Sequence, residues 1–143
     1  MLQLPNYIQY RVDLHKQSKA QRLLNEGRPD SSQQTYESGE LEDFHRQDED
    51  LFEWKRLIQT EYYRRKADAL LIQMPDINDK SMYVQVEWDK DPKQPRYLTD
   101  EGLRFVRKAV REEQKHKREA VGYWFGIMVG LIGAITGLIS AFN

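Results

Sequence analysis

The sequence predicts a mainly α-helical chain. An extended, coiled-coil-like helical hairpin with a short strand-like segment precedes a long final helix that continues into one C-terminal transmembrane helix. Three observations carry this expectation. All 22 Lys+Arg and all 23 Asp+Glu precede residue 121, so the last 23 residues hold no charge although the whole chain is 31% charged. A proline-free stretch from Gln33 to Ile72 places apolar residues three, four or seven apart. From Tyr97 onward no proline interrupts the chain, which allows one helix from Asp100 to Phe142.

The first helix is expected between Leu4-Pro5-Asn6 and Gly27, because proline suits a helix start and glycine the position past its end. Ile8, Tyr10, Val12 and Leu14 also alternate with polar residues, a competing strand pattern, but residues 15–26 are strong helix formers. Gly27-Arg28-Pro29-Asp30-Ser31-Ser32 reads as a turn followed by a cap. The next helix is expected to run unbroken to Ile72. Leu41, Phe44, Leu51, Ile58, Tyr62, Ala69 and Ile72 form an imperfect seam, interrupted at Asp48, Lys55 and Arg65. Trp54, Leu57, Leu70 and Leu71 widen that face, so it should pack on more than one neighbour. A helix of this length needs a partner, and an antiparallel hairpin supplies one.

Met74-Pro75-Asp76 is expected to end it, since proline disfavours helix in the residue before it. Met82, Val84, Val86 and Trp88 alternate with Tyr83, Gln85 and Glu87, a short strand signal. A two-proline loop, residues 89–96, follows. Thr99 is placed to cap the last helix, with Asp100 and Glu101 favourable at its positive end.

Val121–Phe142 is 22 consecutive uncharged residues, about 33 Å as a helix against a hydrocarbon core of about 30 Å. It is expected to span a membrane. Tyr123 and Trp124 stand at its edge as interfacial anchors, and Thr136 and Ser140 can bond back to their own helix backbone. Five of the eight glycines, Gly122, Gly126, Gly130, Gly133 and Gly137, lie in this segment and fit an arc of about 80°. Such a face suits close packing against another helix, either a second copy of the chain or a different protein's span.

Leu103–Glu119 carries Arg104, Arg107, Lys108, Arg111, Lys115, Lys117 and Arg118 against three glutamates, a net +4. The positive-inside rule keeps this flank cytoplasmic, and the first residues contain no signal-peptide h-region, so the expected topology is tail-anchored. Lys108, Arg111, Lys115, Lys117 and Arg118 both set topology and offer contact to anionic lipid headgroups. Three regions follow: a cytoplasmic hairpin with its strand and loop segment (1–98), a basic stem (99–120) and the span (121–142).

The chemistry of catalysis is not signalled. With no cysteine there is no disulfide framework, thiol nucleophile or cysteine zinc site. No phosphate-cradling glycine loop, metalloprotease helix or nucleophile elbow occurs. His45, Asp48 and Glu49 share a helix face, but on so charged a helix that spacing reads as a solvated surface rather than a metal site. A net charge of −1 excludes a globally basic nucleic-acid binder. No enzyme activity, cofactor, metal or small-molecule substrate is expected.

Two resemblances rest on particular residues. Leu4-Pro5, the helix end Leu71-Ile72-Gln73-Met74-Pro75-Asp76, Trp88, Tyr97-Leu98-Thr99-Asp100-Glu101-Gly102 and the glycine-rich anchor resemble uncharacterised small bacterial single-span proteins. That likeness implies bacterial inner-membrane placement, with the N-terminus cytoplasmic, and no known activity. The strand and loop leading into Arg96-Tyr97-Leu98-Thr99-Asp100-Glu101-Gly102 is also similar to the wing of winged-helix DNA-binding proteins. The expected role is a non-enzymatic interaction or scaffolding module that self-associates through its span. The alternatives are a membrane-tethered DNA-binding regulator using residues 82–102, and an accessory subunit of a larger membrane complex.

Overall fold

The structure, a computed structural model, describes residues 5–86 and 94–141. Helix α1 (Asn6–Glu26) opens directly after Pro5 and closes at Gly27. The strand alternative for its first half is therefore settled in favour of helix. Helix α2 (Gln33–Glu37) is a single capped turn. Ser32 accepts from the Thr35 backbone N–H at 3.4 Å, and Thr35 Oγ1 accepts from the Ser32 N–H at 3.2 Å.

Helix α3 (Glu40–Leu70) follows after a break that sequence pattern did not anticipate. Gly39 has φ +80°, a left-handed conformation cheap for glycine alone, so the expected unbroken helix from Gln33 is two helices. The α3 end also differs from expectation. Leu71, not the approach to Pro75, stops it: Leu71 sits at φ +60°, while Ile72 N–H donates to Ala67 O at 2.9 Å and Leu71 N–H to Asp68 O at 3.1 Å.

Helices α1 and α3 run antiparallel. Asn6 Nδ2 donates to Tyr62 O at 3.2 Å, the Tyr10 and Tyr62 rings stack at 4.2 Å, and Gln17 Nε2 donates to Leu51 O at 3.1 Å. Gln21 Nε2 reaches Asp48 Oδ1 at 2.5 Å near the far end. This is the expected hairpin, yet much of its interface is polar. Gln17 is buried there, and the only buried hydrophobic residue of its distal half is Phe44.

Strands β1 (Tyr83–Gln85) and β2 (Arg96–Leu98) pair antiparallel, with Tyr83 opposite Leu98 and Gln85 opposite Arg96. The expected inward face is only partly right. Val86 is buried, but Val84 is exposed and Tyr83 packs on the core instead. Trp88, expected on the same face as Val84, lies outside the described residues.

Helix α4 (Asp100–Ala141) is 42 residues long, about 63 Å. The apolar core lies where it meets α3 and β2. Ala67, Leu98, Leu103, Val106 and Val110 are buried together, with Tyr63, Leu70, Ile72, Met74 and Tyr83 packed around them. The buried α3 residues facing this side are Glu53, Thr60 and Ala67, seven apart. Ala69, expected in the seam, is exposed. Two contacts fix the direction of packing. Arg56 Nη2 meets Asp100 Oδ1 at 2.8 Å, and the Arg107 guanidinium lies 5.2 Å from the Tyr63 ring centre. Each pair is 44 residues apart, so α3 and α4 run parallel and in register.

Candidate functional site: the apolar helix, its stem and its cap

The start of α4 is held from three sides. Thr99 Oγ1 accepts from Gly102 N–H at 3.0 Å, the cap expected of it, and donates to Ser81 O at 2.6 Å. Thr99 N–H donates to Met82 O at 2.9 Å. Gly102 sits where the first turn of α4 crosses the Met82 backbone, just before β1, and Leu98 of β2. A Cβ there would overlap the Met82 carbonyl oxygen and approach Leu98 Cδ2 to 2.9 Å. Only glycine allows this crossing without a backbone shift.

On the α3 side one hydroxyl joins two elements. Thr60 Oγ1 accepts from Leu98 N–H at 2.8 Å and donates to Arg56 O at 2.8 Å. The Leu98 N–H is buried at the edge of the small sheet and would otherwise lack a partner there. Arg56 lies between the Phe52 and Tyr97 rings, 5.7 and 6.0 Å from their centres, and its side chain is only 12% exposed.

After Val110 the helix leaves this core. Leu103, Val106 and Val110 face inward, while Lys108, Arg111, Lys115 and Arg118 fall on the opposite side. The inward face then turns polar, with Glu113, Gln114 and Lys117, so residues 111–120 form a solvated stem about 15 Å long. All five cations expected at the headgroups, Lys108, Arg111, Lys115, Lys117 and Arg118, are exposed. Arg107 is not part of that set, being seated on Tyr63. Lys115 pairs with Glu119 at 3.7 Å, and Arg118 Nε donates to Gln114 O at 3.3 Å.

Every residue from 121 to 138 is exposed. The helix is long and apolar enough to cross a membrane, and none of its apolar window is buried. Besides Tyr123, ten large apolar side chains from Val121 to Leu138 stand exposed, with no other element packed on them. At about 1.5–3 kcal/mol for each one moved out of water, they represent about 15–30 kcal/mol, more than the roughly 5–15 kcal/mol that stabilises a whole domain. Exposed apolar surfaces of that size mark contacts with a membrane or another protein. The glycine face is equally open. A Cβ at Gly122, Gly126, Gly130, Gly133 or Gly137 would meet nothing within 4 Å. Thr136 Oγ1 bonds back to Ile132 O at 2.5 Å, which satisfies its hydroxyl inside the helix, and the Tyr123 and Trp124 rings meet edge-to-face at 6.3 Å.

Elsewhere the surface offers open grooves rather than enclosed pockets. One of about 620 Å³ between α1 and α3 is lined by Gln17, Gln21, Arg22, Asp48, Phe52 and Lys55. Asp48 there is engaged by Gln21, and His45 contacts the Phe44 ring edge. Among the described residues no three His, Asp or Glu side chains gather closely enough to hold a metal ion. The β-hairpin and α4 do follow one another as in a wing, but the preceding segment is the single 31-residue helix α3 rather than a helix-turn-helix. No protein-family model, no curated protein and no solved structure matches the chain.

Proposed function

We propose that the chain is anchored in a membrane by the apolar end of α4, and that its folded part is cytoplasmic and acts as a non-enzymatic interaction module. The observation that supports this reading most is the exposed, uncharged end of α4, a rigid continuation of a helix whose first three turns sit in the core. The cations of the stem favour the cytoplasmic side for everything before it. Tyr123 and Trp124 lie at the level where amphipathic rings settle.

The open glycine face assembles the chain into homo-oligomers by letting two helix backbones approach closely in lipid. Gly130→Leu and Gly133→Leu, tested in a membrane two-hybrid assay, should each abolish the association signal. Unchanged association in both would overturn self-assembly through this face. Association only with a different protein would make the chain an accessory subunit instead. The first part of the reading is tested separately: the full chain should float with liposomes and resist alkaline carbonate extraction.

A further inference from the structure

Leu71 combines two features that a soluble surface does not reward. Its backbone lies at φ +60° and ψ +33°, a region that disfavours residues with a Cβ. Its side chain is 94% exposed, the most exposed large hydrophobic residue described. Glycine or asparagine normally occupies such a helix-ending position. An apolar side chain held outward there has its use outside the fold.

The position of Leu71 along the molecule indicates what covers it. Helices α3 and α4 are parallel with a constant offset of 44 residues, fixed by Arg56 with Asp100 and Tyr63 with Arg107. Continued at that offset, Leu71 stands level with Lys115. Lys115 precedes the uncharged span by six residues, about 9 Å along the helix. The headgroup layer on one side of a bilayer is about 5–7 Å thick, so beside an upright α4 the Leu71 backbone stands about 2–4 Å above its outer edge. Membrane helices tilt by about 20° on average. Across an interhelical distance of about 8–10 Å, tilt toward α3 lowers its end by roughly 3 Å. From this height toward the span the stem of α4 carries Lys115, Lys117 and Arg118 against Glu119, which pairs with Lys115 at 3.7 Å.

We infer that Leu71 is a second membrane contact. The α3 end inserts it into an anionic headgroup layer, so that the folded unit rests on the bilayer beside its own span. This rests on the proposal that α4 crosses the membrane. Two points of contact, unlike one, set the rotation of α4 about its axis, and hence the direction in which the glycine face points.

The chain has no cysteine, so single-cysteine variants report cleanly. Leu71→Cys and, as a distal control, Tyr36→Cys in the exposed turn between α1 and α3 would be labelled with an environment-sensitive fluorophore. The full-length chain would be placed in phosphatidylcholine vesicles with and without phosphatidylglycerol. The label at 71 should shift to the blue and be quenched by headgroup-level nitroxide lipids, more strongly with the anionic lipid. The label at 36 should do neither. Flotation of the same samples reads the span independently. Vesicles that float while label 71 stays aqueous overturn the second contact alone, and failure to float overturns both readings. Protection of label 71 from iodide without quenching by nitroxide lipid would assign the site to a protein partner and also overturn the proposal.

Discussion

At the scale of single residues, three positions do work that their chemistry explains. Gly102 admits the crossing of α4 over the Met82 backbone, so Gly102→Ala should destabilise the fold by about 1–3 kcal/mol, the usual cost of overpacking a tight site. Gly126→Ala, which meets nothing, should leave the melting temperature in detergent unchanged. Equal melting of Gly102→Ala and the parent would show that the crossing is not tight. Thr60→Val should cost about 1–3 kcal/mol by leaving the buried Leu98 N–H without its acceptor. Thr60→Ser should restore most of that loss in denaturant titrations. Leu71→Gly should gain about 1 kcal/mol in detergent by relieving the left-handed backbone. A loss instead would mean that the leucine packs inside the fold. None of these announced its role in advance as Thr99 did, through its position before Asp100-Glu101. Gly102 carried a signal that could have been read: glycine in the first turn of a strong helix costs about 1 kcal/mol against alanine, a cost that close packing repays. Thr60 carried none, because a threonine within a charged helix is also an ordinary surface residue.

At the scale of elements, α1 and α4 were readable because their boundaries are written in proline, glycine and a Thr-Asp-Glu cap. The break between α2 and α3 was not, since a lone glycine is tolerated in many helices and only the left-handed φ of Gly39 shows the chain turning. The seam of α3 was read only in part, for a physical reason: Leu41, Phe44, Leu51, Ile58, Tyr62 and Ile72 are buried or half-buried as expected, but Ala69 is not. Two of the three residues it buries toward α4, Glu53 and Thr60, are polar, so a search for apolar periodicity passes over them and selects the exposed Ala69. The α1–α3 hairpin depends correspondingly on polar and aromatic contacts. Burial raises the Tyr10 hydroxyl pKa, with the neighbouring Tyr63 adding to the effect. Because the folded pKa lies above the unfolded one, the stability linked to Tyr10 is fully present below the ordinary tyrosine range. It is lost as pH rises through the raised value. Alkaline titration monitored by tyrosine absorbance and circular dichroism should therefore loosen the hairpin, and Tyr10→Phe should remove that component. An identical alkaline transition in the variant would contradict the assignment. Asp79 behaves oppositely. The Ser81 hydroxyl and backbone N–H hold its carboxyl below the usual range, so its contribution persists above that range and fades only in strong acid.

At the scale of the molecule, the account turns on one helix with three successive stretches: one packed in the core to Val110, a charged and largely exposed one to Ala120, and beyond it an uncharged, exposed one that the proposed function places in a membrane. The uneven charge made the third stretch legible from composition, because a run of uncharged residues needs no tertiary information to recognise. The first was hidden, since Leu103, Val106 and Val110 are spaced among arginines and lysines that suggested a free stem from Thr99 onward. The most direct measurement is cysteine accessibility along α4 in sealed vesicles, using Lys108→Cys, Lys115→Cys, Ile127→Cys and Leu131→Cys in a chain with no native cysteine. A membrane-impermeant maleimide should label positions 108 and 115 rapidly and leave 127 and 131 unlabelled until detergent is added. Rapid labelling at 127 and 131 in intact vesicles would contradict a membrane-spanning α4.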